Sequence, residues 1–396
     1  MLAPQTENPP PVPAGEGQES SLLGSGLTNK NTTGKADGYT RARYATHSHI
    51  RQLLIVQAKK EQPEKHPGNV YRTAACTWVP IGAPAAVRPA GRESWHYKGL
   101  ATCGSVWVCP ICASKIQERR RLEVAAAVIY SASIDRSAVM VSYTFPHRFD
   151  QPLALLLRLQ ADAIKHLRGS RGYIASMLRI SNAGRIRSLE VTHGQNGWHP
   201  HTHELLFVDP KMPAEWLRNE LANLWLKACT KVGLFRPGLD DESAFLRHSV
   251  DVRAGDAGVS DYLAKLDDQS KWTTAHELTK SSSKQGKRTG RHPFALALQT
   301  STSALFLEYV QAMKGQRQLV WSRGLKAAVG IEDKTDDEIA AEETEIAAAI
   351  IPITRAQWRV VVGNDARWEL LHAAKTGGAT GVADLLLILG HREPPP

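Results

Sequence analysis

The chain has no long apolar run and few cysteines. Nowhere in its 396 residues is there an uninterrupted apolar stretch of about 18 residues, which a membrane-spanning helix requires. The N-terminal sequence Met-Leu-Ala-Pro-Gln-Thr-Glu-Asn-Pro-Pro has neither the basic nor the apolar segment of a secretory signal. We therefore expect a cytoplasmic protein with no membrane partner.

Basic residues outnumber acidic ones, and the two kinds are unevenly spread. The formal net charge of +10 favours a polyanionic partner, of which nucleic acid is the commonest. Residues 271–291 hold six cations against Glu277, among them Lys284, Lys287, Arg288 and Arg291, whereas residues 331–350 hold eight acidic side chains against Lys334. The basic segment is predicted to bind DNA phosphates, although a solvated surface loop would have the same composition.

Composition divides the chain into four parts. Residues 1–68 are rich in Pro, Gly, Ser, Thr and Asn and are expected to be disordered or a linker, with a short helix at 50–60 around Leu53–Val56. A zinc-binding cysteine module with a basic helix is predicted at 69–130, a catalytic domain at 131–300 and a mainly helical region at 301–396. Hydrophobic residues at 42% and charged residues at 22% are typical of a globular protein of this length.

Four of the five cysteines lie close together in the sequence. Cys109 and Cys112 form a C-x₂-C pair, with Cys103 just upstream and Cys76 further back. In a cytosolic protein such clusters are more often zinc ligands than disulfides, and four thiolates would complete a tetrahedral structural site. His96 is an alternative to Cys76 as the fourth ligand. Arg119, Arg120 and Arg121 follow on a predicted helix, Ala113–Ala127, which would either contact DNA or be an exposed basic face.

Trp198–Val208 is predicted to be a strand that carries three histidines on one face. Side chains at alternate positions of a strand project together, so His199, His201 and His203 are neighbours about 7 Å apart. The apolar run Leu205-Leu206-Phe207-Val208 follows directly and indicates a buried strand. A metal site is favoured over three solvated histidines at the strand entrance.

A partner strand is predicted at Arg185–His193, joined to the histidine strand by the turn Gln195-Asn196-Gly197. This hairpin brings Glu190 near the histidines as a candidate third ligand, and an exposed glutamate is nearly as good an interpretation. One carboxylate with two neutral imidazoles suits Mn²⁺ or Mg²⁺ at least as well as Zn²⁺.

The remaining pattern predicts an α+β fold. Ala138–Phe145 and His248–Arg253 read as strands, and Leu153–Leu167 and Pro213–Val232 read as helices with one apolar face. The sheet is thus built from strands and hairpins that are separated in sequence by helices.

A candidate nucleophile follows the last of these strands. Ser260–Leu266 is helix-like, which places Tyr262 and Lys265 on one face at positions i and i+3. Because a phenol has a pKa near 10, it attacks well at neutral pH only when a nearby cation or metal favours the phenolate, and Lys265 is placed to do this.

The order of these motifs resembles a known family. Ala-Val-Met-Val-Ser-Tyr-Thr-Phe-Pro-His, then His-Pro-His-Thr-His, then Tyr-Leu-Ala-Lys is similar to the three ordered motifs of HUH endonucleases, and in particular of the replication initiator (Rep) proteins of rolling-circle plasmids. The upstream cysteines, Arg291-His292-Pro293-Phe294 and Trp321-Ser322-Arg323-Gly324-Leu325 extend the resemblance over residues 70–326.

The resemblance implies an antiparallel-sheet nicking domain in which His201 and His203 bind a catalytic Mg²⁺ or Mn²⁺ and Tyr262 is the nucleophile with Lys265. It implies a plasmid origin as substrate, single-stranded or hairpin at the nick, and a host helicase and polymerase as partners. Two residues depart from the family pattern: Thr202 replaces a bulky apolar residue, and Gly258 replaces a glutamate that serves the terminating cleavage. Asp256, Asp261 or a second tyrosine would have to substitute for that glutamate.

Two alternatives remain open from the sequence. A conjugative relaxase or single-tyrosine transposase would use the same chemistry, but the cysteine module and the downstream motifs disfavour it. A non-catalytic, zinc-containing DNA-binding regulator would carry the histidines as structural residues only.

Overall fold

The computed structural model describes residues 31–90, 94–255, 290–342 and 347–390. Within them the chain is α+β with two antiparallel sheets, a cysteine cluster and a largely helical C-terminal region, which confirms the predicted fold class. The helices are, in chain order, α1 (Asn31–Glu61), α2 (Pro67–Val70), α3 (Pro110–Ser133), α4 (Leu153–Gly169), α5 (Arg171–Arg179), α6 (Ala214–Val232), α7 (Glu242–His248), α8 (Pro293–Ala297), α9 (Ser303–Ala312), α10 (Leu325–Val329), α11 (Asp336–Ala341), α12 (Arg355–Gly363) and α13 (Arg367–Gly390). The strands are β1 (Pro80–Pro89), β2 (His96–Leu100), β3 (Ser137–Tyr143), β4 (Gly184–Gly194), β5 (Gly197–Val208), β6 (Val250–Ala254), β7 (Leu319–Trp321) and β8 (Ala347–Pro352).

The larger sheet has five strands in the order β6-β3-β5-β4-β7, so the histidine strand β5 lies at its centre. The predicted hairpin is confirmed, because Gly194 of β4 pairs with Gly197 of β5. At this turn Gly197, with φ of +82°, takes the left-handed conformation that the Asn-Gly pair was expected to supply. The strands predicted for β3, β4 and β5 all agree with the structure to within two residues.

The five-stranded sheet is covered differently on its two faces. One face packs on α4, α6, α8 and α9 through a core that also contains the four clustered cysteines. On the other face, a smaller core joins the end of β5 to α3 and α10, with Phe207 meeting Val124 and Leu325. The part of this face nearer the hairpin turn carries His199, His201 and His203, and it lies outside that smaller core.

The smaller sheet, in the order β2-β1-β8, joins distant parts of the chain. Helices α12 and α13 pack against it, and so does Tyr44 of α1. Arg367, at the start of α13, is fully buried and donates hydrogen bonds to His47 Nδ1 at 3.0 Å and Thr77 Oγ1 at 2.9 Å. Its guanidinium also lies 4.3 Å from the centre of the Trp78 ring. A buried charge is stable only when it is hydrogen-bonded, so Arg367 ties the C-terminal helix to the first helix and to the cysteine module.

The N-terminal helix is longer than the sequence indicates. The short helix expected at 50–60 is a 31-residue helix, Asn31–Glu61, which begins inside the segment expected to be linker. Its inner face buries Ile50 and Leu54 completely, so tertiary packing accounts for a helix that composition does not predict. No helix in the described ranges combines the length and the apolar character needed to cross a bilayer.

The C-terminal region contributes to both sheets. Its strand β7 pairs with β4, and β8 pairs with β1 of the cysteine module. Both strands therefore cross the boundaries that composition suggests at residues 130 and 300, and the parts pack together as neighbours in space.

Candidate functional site

The four clustered cysteines converge in the interior. Cys109 is the N-cap of α3 and Cys112 lies in its first turn, while Cys76 and Cys103 come from the segments before β1 and after β2. The sulfur of Cys112 lies 3.5 Å from that of Cys76 and 3.7 Å from that of Cys103, and the sulfurs of Cys109 and Cys76 are 3.6 Å apart. His96 is not part of this group, in which Cys76 is the fourth potential ligand.

This geometry fits a tetrahedral metal ion. Zinc–sulfur bonds of about 2.3 Å in a tetrahedron place the sulfurs about 3.8 Å apart, close to the separations observed here. Burial raises the pKa of the Cys109 thiol well above its ordinary value. Four thiolates in such a buried position therefore need a cation to offset their charge, and the cluster can hold a metal such as zinc.

The histidine face is organised by the pairing of β5 with its two neighbours. Glu190 of β4 lies directly opposite His201, and Ser142 of β3 lies opposite His203. The rings of His201 and His203 are nearly parallel, with centroids 6.0 Å apart. Within the described ranges, only the four cysteines form a group of three or more potential ligands whose ligand atoms all lie within 4.8 Å of one another. The ligand atoms of His201, His203 and Glu190, which share one face of the sheet, are therefore more widely spaced.

His203 is held from both sides. Its Nε2 lies 3.1 Å from Glu190 Oε2, and its Nδ1 lies 2.7 Å from Ser142 Oγ. When Nδ1–H donates to Ser142, the lone pair of Nε2 points toward Glu190 and is available to a cation. Ser142 was not singled out from the sequence, although its alternation with Tyr143 on β3 would have placed it on this face.

His199 has partners of its own. Its Nε2 is 2.8 Å from Thr144 Oγ1, and its ring lies 4.3 Å from the ring of His147. Burial, together with His201 and His147, lowers the pKa of His199 to about 3, so this ring is neutral near pH 7. The pair nearest Glu190 is thus His201 and His203, as the resemblance implies.

A fourth histidine joins this face from beyond β4. Arg291 pairs with His193 in an isolated antiparallel bridge, so the next residue, His292, turns to the side of Glu190. Burial lowers the pKa of His292 to about 4. The negative charge of Glu190 acts in the other direction and raises this pKa, which indicates that the two side chains are close. The sequence singled out this residue only as part of a family motif.

Several predicted site residues lie outside the described residues: Tyr262, Lys265, Lys284, Lys287 and Arg288, together with Gly258, Asp256 and Asp261. The ends of that segment are described. The chain leaves the sheet at Ala254 of β6, beside β3, and returns at Gly290, where an added Cβ would lie 3.1 Å from Thr192 Oγ1 of β4. The two ends therefore lie on opposite sides of the histidine strand.

The predicted basic helix is α3, and its three arginines differ in placement. Arg120 is buried and donates to Glu123 Oε2 at 2.8 Å and to the Lys334 carbonyl at 2.7 Å. It therefore belongs to the interior and not to the exposed basic face that was expected. Arg119 and Arg121 are partly exposed and pair with glutamates of the same helix. Arg291 donates to Gln299 Oε1 at 3.0 Å and remains partly exposed.

Comparisons with known proteins place these features in a family. The Rep_1 model, described as a replication protein, matches residues 98–361. The chain is 26% identical over 356 residues to a "Protein rep" of Streptomyces lividans, covering 70% of this chain and 76% of that protein. It is also 28% identical over 135 residues to a "Neomycin resistance protein" of Streptomyces cyanogenus, covering 28% and 31% respectively. No solved structure matches the chain. Because the family model spans well over half of the sequence, the chain belongs to the Rep_1 family of replication proteins.

Proposed function

We propose that the protein initiates rolling-circle replication of a plasmid by nicking and rejoining one strand of its origin. One observation carries the proposal: His201 and His203 lie next to Glu190 at the centre of an antiparallel sheet. The ends of the segment that contains Tyr262 flank that strand on both sides. A histidine pair with a carboxylate suits a divalent cation such as Mg²⁺ or Mn²⁺.

The chemistry divides among these residues. His201 and His203, with Glu190, would hold the ion, which supplies positive charge next to the scissile phosphate. The Tyr262 oxygen attacks the phosphorus after losing its proton, and Lys265 favours the phenolate. The bond from phosphorus to the 3′ oxygen breaks, and that oxygen takes up a proton. The products are a 5′-phosphotyrosine and a free 3′-hydroxyl, which a host polymerase can extend after a helicase has opened the duplex.

We assign DNA binding to the cations of the basic segment and of α3. Lys284, Lys287, Arg288 and Arg291 belong to the segment that returns beside β4, and phosphate contacts from them would position the strand without reading its sequence. Arg119 and Arg121 remain candidates on α3. Zinc on the four cysteines would have a structural role, because it fixes the start of α3 to the segments around it. A plasmid origin as partner also fits a cytoplasmic location.

The test is covalent capture. We expect purified protein, incubated with a supercoiled plasmid that carries its own origin and with Mn²⁺, to yield a protein–DNA adduct that survives denaturing electrophoresis. The protein should be attached to the 5′ end that the nick creates, and omission of the divalent ion should remove the adduct. Protein that binds the origin specifically but forms no adduct under these conditions would instead be a DNA-binding regulator.

Ser142 provides a more local prediction. In the Ser142→Ala variant, His203 Nδ1 loses its partner at 2.7 Å, and the ring is free to turn away from Glu190. Loss of such a supporting hydrogen bond typically costs roughly 10- to 100-fold in metal affinity or activity. We expect a decrease of this size in the rate of nicking and a higher Mn²⁺ concentration for half-maximal rate. Ser142→Thr, which keeps the hydroxyl, should recover both; equal loss in the two variants would rule out this role.

A further inference from the structure

One phenylalanine is placed unlike the others. All seven phenylalanines lie in the described ranges, and six of them are at most 4% exposed. Phe149, in the loop after β3, is 69% exposed. Single exposed apolar side chains are common, so the case for a role of this ring rests on its position in the fold.

The loop that carries Phe149 is firmly attached to the hairpin turn. His147 Nδ1 donates to the Asn196 carbonyl at 2.9 Å, and the amide of Arg148 donates to Gln151 Oε1 at 2.8 Å. Gly197 packs so closely beneath this loop that an added Cβ would lie 2.8 Å from the Cα of Phe149. The exposed ring is therefore presented by a fixed backbone.

The ring lies at the edge of the candidate nicking site. His147, two residues before it, has its ring 4.3 Å from His199, whose ring is 3.7 Å from that of His201. The Phe149 ring itself lies 6.2 Å from the ring of His193, the residue that pairs with Arg291. The Arg148 side chain is 49% exposed and forms a 3.7 Å ion pair with the exposed Asp150. The exposed ring thus lies at the hairpin end of the histidine strand, next to Arg148 in the chain and near His193, whose main chain pairs with that of Arg291.

We propose that Phe149 is a stacking platform for a base of single-stranded DNA a few nucleotides from the scissile phosphate, with Arg148 and Arg291 contacting the adjacent phosphates. The inference rests on the proposed function for the position of the strand. Proteins that hold single strands combine a cationic path for the backbone with aromatic rings for the bases, and both are present here. Stacking accepts any base, so Phe149 adds affinity and orientation and leaves the choice of origin to other residues.

The test is binding of a labelled 20-nucleotide oligo(dT), measured by fluorescence anisotropy in low salt with no Mg²⁺ or Mn²⁺ added. Without those ions, strand cleavage does not contribute, so the result is independent of whether Tyr262 is the nucleophile. We expect Phe149→Ala to weaken binding about tenfold, the size of one lost base–aromatic stack, while Phe149→Trp binds at least as tightly as the wild type. Phe149→Leu, which is apolar but cannot stack, should resemble Phe149→Ala.

Leu178 supplies a matched control. It is 76% exposed and lies in α5, just before the chain enters β4 at the end of the sheet opposite the hairpin turn. Leu178→Ala should leave oligonucleotide binding unchanged. Unchanged binding by Phe149→Ala would overturn the proposal. Full binding by Phe149→Leu would show that the ring contributes apolar contact and not stacking.

Discussion

Cys109→Ser is expected to strip the bound metal from the protein and to unfold the segment around residues 76–120. Cys109 is fully buried, its sulfur is 3.6 Å from that of Cys76, and its side chain caps α3 by accepting from the Cys112 amide. Structural zinc in small modules contributes on the order of 10–16 kcal/mol of apparent binding free energy, which is folding free energy when no site exists in the unfolded chain. The loss should therefore be comparable to the whole stability of an ordinary domain, about 5–15 kcal/mol.

Elemental analysis of the zinc content tests the predicted loss of metal, and a thermal melting curve tests the predicted loss of stability. The wild type should contain about one equivalent of zinc, and Cys109→Ser close to none, with early melting. Cys229→Ser is the matched control, because Cys229 is equally buried in α6 but lies outside the cluster. It should keep the zinc and lose only a modest amount of stability. Wild-type protein that is folded and active without zinc would refute the assignment.

Tyr262→Phe is expected to abolish the covalent adduct and to leave origin binding nearly unchanged. In the proposed mechanism the phenol oxygen forms the new bond to phosphorus, whereas the hydroxyl adds little to phosphate contacts. Two other tyrosines, Tyr143 and Tyr309, are poor substitutes as nucleophiles. Tyr143 and Tyr309 are buried and lie on the face of the sheet opposite the histidines, and burial raises the pKa of both well above the ordinary value.

Denaturing electrophoresis for the adduct, together with a gel-shift measurement of origin affinity, separates the two effects. Tyr143→Phe is a suitable control, since the buried Tyr143 hydroxyl has no hydrogen-bond partner among the described residues. Its removal should affect neither measurement. An adduct that persists in Tyr262→Phe would assign the nucleophile to another residue, and loss of origin binding in that variant would make Tyr262 a binding residue as well.

Period-two alternation accounts for most of what could be predicted about the histidine face. It placed the three histidines on one face of β5, and the Asn-Gly signal predicted the hairpin that brings Glu190 near them; the structure pairs Glu190 with His201. The contacts of Ser142 depend on β3 pairing with β5, which is distant in sequence. No local pattern specifies which strand becomes the neighbour, so that hydrogen bond could not be predicted from a propensity.

The distribution of charge along the sequence was a poorer guide to where charged residues lie in the fold. The acidic segment at 331–350 looked like a separate zone, but α11 packs against α3 and brings Asp336 to 3.2 Å from the Arg120 guanidinium. Asp337 likewise reaches Arg72 at 2.8 Å. The sequence gives the number and position of the charges but does not show which opposite charges pair in the folded protein. For that reason Arg120 was expected at the surface.

The pairing of β1 with β8 has a consequence for how the protein is made. Strand β1 is complete at residue 89, but its partner begins at residue 347, and Arg367 follows later still. At roughly 5 to 20 residues per second, the ribosome needs about 15 to 60 seconds to supply the missing strand and helix. One edge of β1 therefore stays unpaired until β8 has been synthesised. All four clustered cysteines have been synthesised soon after residue 112. Metal binding by these cysteines is therefore the step that can stabilise this region before β8 and Arg367 have been made.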